Sequence, residues 1–366
     1  MFYYNETGSF FEFSAIDSLQ YHEFAIKINK GNFIEESEYF ILTNDIEDFG
    51  AVFFTSLAYA IYPSTITFNI FNILAGIITI ASLYRMALFF MSQKYAYYAS
   101  LVYGLSSFVI YLYSTGMKET FFTMFVVLFF EFFTKFVKRK NLISLFLAII
   151  FLITLYFFRP AVMFMIIFAI FISIIISKRK GLISLLVIVP LIIFAVIFLL
   201  EDIQSIGDRY YGDADQVSER AEYLSGIQAS TFNYVVSFIS GFFGPLPSYT
   251  SLVGRLQQSF YGVGLGMRVF LSVFFWLGFL KLLKGKEIIL LAISIFVILE
   301  MFALSVILEA FELRLNSPHL ILVYFVSFYY LDLINKNTAI IKTNKTIYSA
   351  TFIVFLLLIF GWNLRI

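Results

Sequence analysis

Residues 119–180, ETFFTMFVVLFFEFFTKFVKRKNLISLFLAIIFLITLYFFRPAVMFMIIFAIFISIIISKRK, decide the fold. Three apolar blocks, 119–137, 141–158 and 161–177, follow one another with few charges inside them. Their joints are KRK at 138–140, FRP at 158–160 and KRK at 178–180. Each block reaches 17 residues, the shortest length with which a helix crosses a bilayer. A helix satisfies its own backbone hydrogen bonds, which lipid cannot do for it. The alternating segments of an outer-membrane barrel are absent. The stretch is therefore read as three successive transmembrane helices.

Further blocks lie outward from it at 66–90, 95–113, 182–200, 266–283, 287–308, 318–334 and 346–363, which makes about ten spans. The expected fold class is all-α, a polytopic transmembrane helical bundle forming one membrane domain over 1–366. Within it, 1–65 is an outer N-terminal segment with interfacial helices and 66–200 a first bundle. A large outer loop, 201–265, and the last four spans, 266–366, follow. Composition agrees. Hydrophobic residues make up 61% and charged residues 13%, against about 45–50% and about 25% in soluble domains. A net charge of +1 gives no reason to expect nucleic acid. With no cysteine, disulfides, thiol catalysis and cysteine–zinc sites are excluded. Two histidines, His22 and His319, exclude a multi-histidine metal site. Residues 1–13 lack a basic region followed by an apolar core, so no signal peptide is read there.

Short loops rich in Lys and Arg face the cytoplasm. With the N-terminus outside, that side receives Lys94, the 135–140 cluster, the 178–180 cluster, Lys281, Lys284, Lys286, Lys336, Lys342 and Lys345. Most acids then lie outside, in 6–48 and 201–222. Residues 49–62 are apolar but short, and Pro63 follows. They are read as an interfacial or partly inserted helix, with Tyr59 and Tyr62 at headgroup level. Residues 232–244, FNYVVSFISGFFG, are apolar enough to dip into the membrane surface.

The polar chemistry gathers on the outer side. Asp17, Tyr21, Ala25 and Ile28 recur at helical spacing. They predict a short surface helix with Asp17 near its N-terminus, where the helix dipole favours a carboxylate. Near it in the topology come Lys118 and Glu119, Arg159 before Pro160, Arg209, Arg220, Arg255, Arg268, Glu309, Glu312, Arg314 and His319. A carboxylate among cations at a membrane surface can act as a general base toward a hydroxyl. Guanidinium and ammonium groups there can hold a phosphate. The plain alternatives are a helix cap for Asp17, snorkelling for Arg159, lipid headgroup contacts for Arg209, Arg220 and Arg255, and interfacial histidines.

The chain resembles the GT-C superfamily of integral-membrane glycosyltransferases, in particular the dolichyl-phosphate-mannose protein mannosyltransferase-like enzymes of family 39. The resemblance is carried by D-x-x-x-Y-x-x-x-A at 17–25 with KGNF at 30–33, the stretch 85–114, MKE at 117–119, FRP at 158–160, and ELR at 312–314 with Pro318. It implies a polyprenyl-phosphate sugar donor, a saccharide, lipid or protein acceptor, and an active site on the outer face of the cytoplasmic membrane among membrane lipids. It makes Asp17 the catalytic base or a metal-contacting acid. Arg159, Arg314 and Lys118 become the donor phosphate-binding groups. Tyr21, His22, Glu119, Arg209, Arg220, Arg255 and Glu312 are candidate substrate contacts. No cofactor is assigned beyond a divalent metal ion, which stays open because Ser18 stands where a second acid often follows. Two departures stand out. A span usually precedes the acidic loop, and here only sixteen residues precede Asp17, so the resemblance implies either a misplaced start codon or a missing first helix. The family's soluble C-terminal domain has no counterpart.

Two other readings stay open. An O-antigen or capsule polymerase, using polyprenyl-diphosphate-linked repeats, would also have many spans and an Arg-bearing loop such as 201–265. A lipid-linked-sugar flippase or other transporter would place ionisable residues in mid-membrane. Arg85, Glu131 and Glu300 read as isolated or near span ends, which favours an interfacial enzyme.

The orientation is checked by cysteines introduced singly at Ser37, Ser205 and Asn337. The first two are expected to react with an impermeant thiol reagent on intact cells and the third to stay unlabelled. Labelling at Asn337 reverses the orientation.

Overall fold

The computed structural model describes residues 16–44, 46–114, 117–177, 239–244, 256–285, 287–306, 317–336, 349–350, 352–357 and 360. Every element among them is helical. The chain divides into two compact units, Met1–Met163 with Leu256–Gly264, and Phe164–Arg255 with Leu265–Ile366. Six helices among the described residues are long and apolar enough to cross a membrane.

The first unit opens with α1 (Ile16–Lys30), α2 (Phe33–Thr43) and α3 (Ile46–Tyr59). The predicted stripe on α1 is buried, with Tyr21, Ala25 and Ile28 at 1%, 0% and 4% exposure. α3 corresponds to the short apolar stretch 49–62 and begins a turn earlier, taking in Asp48.

α4 (Thr65–Ala87) is a full-length candidate span, started by the Ser64 hydroxyl, which accepts from the Ile66 N–H. The block at 95–113 is not one helix. It forms α5 (Gln93–Gly104) and α6 (Ser107–Ser114), broken at Leu105–Ser106. Glycine carries the largest helix penalty after proline, and serines compete for backbone hydrogen bonds. The run Gly104-Leu105-Ser106-Ser107 is therefore a natural stop, and the Ser106 N–H bonds back to Tyr103 O.

α7 (Glu119–Arg139) and α8 (Leu142–Tyr156) form a close hairpin. Its turn is Lys140 in the left-handed region (φ 56°) followed by Asn141, whose side chain caps the Ile143 N–H at 2.9 Å. At 15 residues, α8 is about 22 Å long, shorter than the expected span at 141–158. α9 (Pro160–Ser177) starts on a proline, whose missing N–H costs nothing at a first helical position.

α4 and α7 run in the same direction. Phe68 meets Phe121 near their starts, at a ring separation of 6.5 Å. Arg85 pairs with Glu131 toward their ends, at 2.7 Å. Glu131, expected to stand alone, is fully buried and also takes Lys135 at 2.6 Å and the Ser82 hydroxyl. The correction has a simple cause: a carboxylate cannot stay ionised in an apolar bundle without partners.

α3 is keyed into this hairpin. Phe54 packs on Phe121, Phe125 and Phe158 at 5.4, 5.1 and 5.9 Å. The Gly50 N–H donates to Phe157 O at 2.8 Å.

The second unit contains most of α10 (Leu256–Leu283), with α11 (Ile288–Val306) and α12 (Ser317–Lys336). α12 is its core element, buried along most of its length. The Ser327 hydroxyl donates to Leu271 O on α10 at 2.7 Å. Residues 182–200 lie outside the described residues, and so does half of 346–363.

Gly50 is a sharp test of the α3 contact. A Cβ there would lie 2.6 Å from the Phe158 ring and 2.8 Å from Phe157 O. Gly50→Ala is expected to destabilise the protein by about 1–3 kcal/mol, read as a lower melting temperature in detergent. An unchanged melting temperature refutes the tight packing.

Candidate functional site

The site of the first unit assembles at the end where α7 and α9 begin. Asp48 is the third residue of α3, inside the first turn, where the helix dipole favours a carboxylate. The Lys118 ammonium, one residue before α7, lies 2.6 Å from Asp48 Oδ1. The Tyr21 hydroxyl of α1 donates to the same Oδ1 at 2.8 Å. Oδ2 has no hydrogen-bond partner among the described residues. The side chains of Asp48 and Lys118 are 29% and 14% exposed, so the pair is reachable but largely dried. Burial alone would raise the Asp48 pKa. The Lys118 charge, hydrogen bonds from Lys118 and Tyr21, and the Arg159 charge outweigh it and hold the carboxyl below its ordinary value.

Arg159 stands between α8 and α9, with its guanidinium 5.7 Å from the centre of the Phe122 ring. Its side chain makes no hydrogen bond among the described residues. The site therefore holds an anchored carboxylate with one open oxygen, a lysine committed to that carboxylate, and a guanidinium with its donors free.

The predicted residues divide clearly. Tyr21, Lys118 and Arg159 come together. His22 turns instead to the Tyr59 hydroxyl, at 2.5 Å; burial lowers its pKa, and Glu23 opposes that. Glu119 opens α7 with 2% exposure, and its Oε2 has no hydrogen-bond partner. Asp17 falls on α1 by its backbone, but its side chain lies outside the described residues. Arg209, Arg220, Arg255, Glu309, Glu312 and Arg314 lie outside them too. Asp48 was missed. The available signal was an acid directly preceding an apolar helical run, the position that puts a carboxylate in a first turn.

A divalent ion needs several oxygen ligands. At Asp48 the described neighbours are an ammonium, a phenol and a guanidinium, which do not fit one. No group of three candidate ligands occurs among the described residues.

The second unit holds another ionisable group. Arg268 on α10 and His319 on α12 lie 3.2 Å apart, and Glu300 on α11 lies 3.4 Å from His319. Their exposures are 2%, 0% and 2%. Glu300 is thus not isolated, and His319 is interior rather than interfacial. A fully buried charge requires such partners.

No family model, curated protein or solved structure matches the chain.

The depressed Asp48 pKa has a signed consequence. The ionised group stabilises the fold in full above the unfolded aspartate pKa of about 3.9. That contribution is lost as pH falls from there through the folded value. The stability difference between the parent and Asp48→Asn should be constant from about pH 5 to 8 and shrink below about pH 4. Thermal melts in detergent measure it, and a difference that widens on acidification contradicts the pairing.

Proposed function

We propose that the protein is a membrane glycosyltransferase that moves a sugar from a polyprenyl-phosphate donor to an acceptor hydroxyl. One observation supports this above the others. Asp48 has Oδ1 fixed by Tyr21 and Lys118 and Oδ2 open, and an unengaged Arg159 guanidinium lies near enough to shift its titration. Phosphate is the leaving group in such a transfer, and a free guanidinium suits it by charge and fork geometry. Asp48 Oδ2 takes the proton of the acceptor hydroxyl. The acceptor oxygen bonds to the anomeric carbon as the bond from that carbon to the phosphate oxygen breaks. The electron pair leaves with the phosphate, and Arg159 neutralises it. Lys118 and Tyr21 keep Asp48 ionised and aimed. In this reading Asp48 takes the part expected of Asp17, and Lys118 positions the base rather than binding the donor.

The site would face the outside of the cytoplasmic membrane. The opposite end of α7 carries Lys135, Lys138, Arg139 and Lys140, the basic signature of a cytoplasmic loop. A bundle of about ten spans, handling a saccharide, lipid or protein acceptor, fits cell-envelope polysaccharide or glycolipid assembly. The buried Arg268–His319–Glu300 group favours a second reading, a transporter of lipid-linked sugars, because ionisable residues within spans often mark transport paths.

Membranes supplied with a panel of radiolabelled polyprenyl-phosphate sugars test the first reading. Asp48→Asn is expected to lower transfer by about 10²–10⁴-fold. Arg159→Ala should weaken donor use by roughly ten- to a hundredfold, with poor recovery in Arg159→Lys. Undiminished transfer in Asp48→Asn overturns the base. Sugar movement across vesicles without transfer moves the assignment to transport.

A further inference from the structure

The Arg268 group has a neighbour that the transfer reaction does not use. Residues 239–243 form a short helical turn ending at Gly244, in the middle of the long stretch 201–265. The last carbonyls of a helix have no partners within it. Here three of them point at one face of α10. Gly241 O accepts from Arg268 at 3.4 Å, Phe243 O from the Ser272 hydroxyl at 2.8 Å, and Phe242 O from Trp276 Nε1 at 3.2 Å. Arg268, Ser272 and Trp276 are four apart, one helical stripe of donors. The turn lies close on its neighbours. A side chain on Gly241 would strike Ser305 and Met301 on α11. Gly244 has φ 100°, and a Cβ there would lie 2.5 Å from Arg268 Cγ. Both glycines are required by the approach.

Serine and tryptophan are neutral donors, and a third neutral donor would complete the ladder. Arginine is the expensive choice in an apolar interior. What it adds is several donors on one rigid fork. The same Nη2 that faces Gly241 O lies 3.2 Å from His319 Nε2. Arginine can only donate, so Nε2 accepts and the ring proton sits on Nδ1. That nitrogen faces Glu300 Oε2 at 3.4 Å. That approach is an electrostatic contact rather than a hydrogen bond. One residue, Arg268, serves the 239–244 turn and α12 together, and Glu300 on α11 stands against the imidazole that joins them.

We propose that Arg268 is a latch that couples the docked 239–244 strap to the start of α12. His319 is the third residue of α12, directly after the 307–316 connection. The strap sits midway in the 201–265 stretch. Undocking either side removes a partner from Arg268 and loosens the other, so the strap and the start of α12 are held or released together. The inference is independent of the glycosyltransferase reading.

The absence of native cysteine makes the test clean. Ser240→Cys reports the strap, and Ser294→Cys, fully buried on α11, reports the core. Maleimide labelling is measured on the full chain in membranes. Glu300→Gln and His319→Gln, changes on α11 and α12, are each expected to speed labelling at position 240 at least about tenfold. Combining them should add little, since they break one chain of contacts. Position 294 should stay unlabelled. Arg268→Gln raising labelling while the other two leave it unchanged overturns the coupling. So does no change in any of the three. Equal acceleration at 294 makes the group a general core fastening and also overturns the latch.

Discussion

A charge placed among these helices must find a partner, because the surroundings offer it neither water nor polar surface. That constraint organises both units. Glu131 draws Arg85, Lys135 and Ser82 around itself and so joins α4 to α7. Asp48 draws Lys118 and Tyr21 and so joins the surface helices to the start of α7. Arg268 meets His319, and His319 meets Glu300, which ties three helices. Apolar packing supplies most of the cohesion, but it is tolerant of sliding. The ionic contacts are directional, and they specify which residue of one helix faces which residue of another.

The candidate site adds a second requirement, that one group remain incompletely satisfied. Glu131 accepts through both oxygens. Asp48 accepts twice through Oδ1 and leaves Oδ2 open among the described residues. A structural carboxylate gains by filling every lone pair, whereas a base must keep one ready. The two ion-paired acids of the first unit therefore differ in how fully they are satisfied, which is the contrast the proposed role of Asp48 calls for.

Much of the fold was legible from hydropathy and periodicity. The long apolar runs became α4, α7, α9, α10, α11 and α12. The stripe Tyr21, Ala25 and Ile28 became the buried face of α1. Two local features were visible but underweighted: the Gly-Leu-Ser-Ser break within 95–113, and the acid that opens the short apolar helix α3. Of the expected site, Tyr21 and Lys118 meet at Asp48, and Arg159 acts on the same carboxylate by its charge. Their shared partner was not readable, because Asp48 and Lys118 are 70 residues apart and no period links them. Arg268 and His319, 51 residues apart, were hidden for the same reason. Periodicity reports which face of a helix is buried, not which neighbour covers it.

The parallel course of α4 and α7 carries a consequence for topology. Two neighbouring helices that point the same way need a return path between them. α5 and α6 supply it, and their contacts along α4 trace the journey. Gly104 lies against Ile80, Tyr113 lies against Gly76, and α7 then begins beside Phe68. The Tyr103 and Tyr113 hydroxyls, 2.9 Å apart, link the two pieces across their break. In a bilayer the pair would count as one crossing with a joint in it, at which Ser106 is buried while Leu105 is 67% exposed. The Tyr103–Tyr113 contact then does across the joint what the interrupted backbone ladder cannot, fastening the two pieces of one crossing to each other.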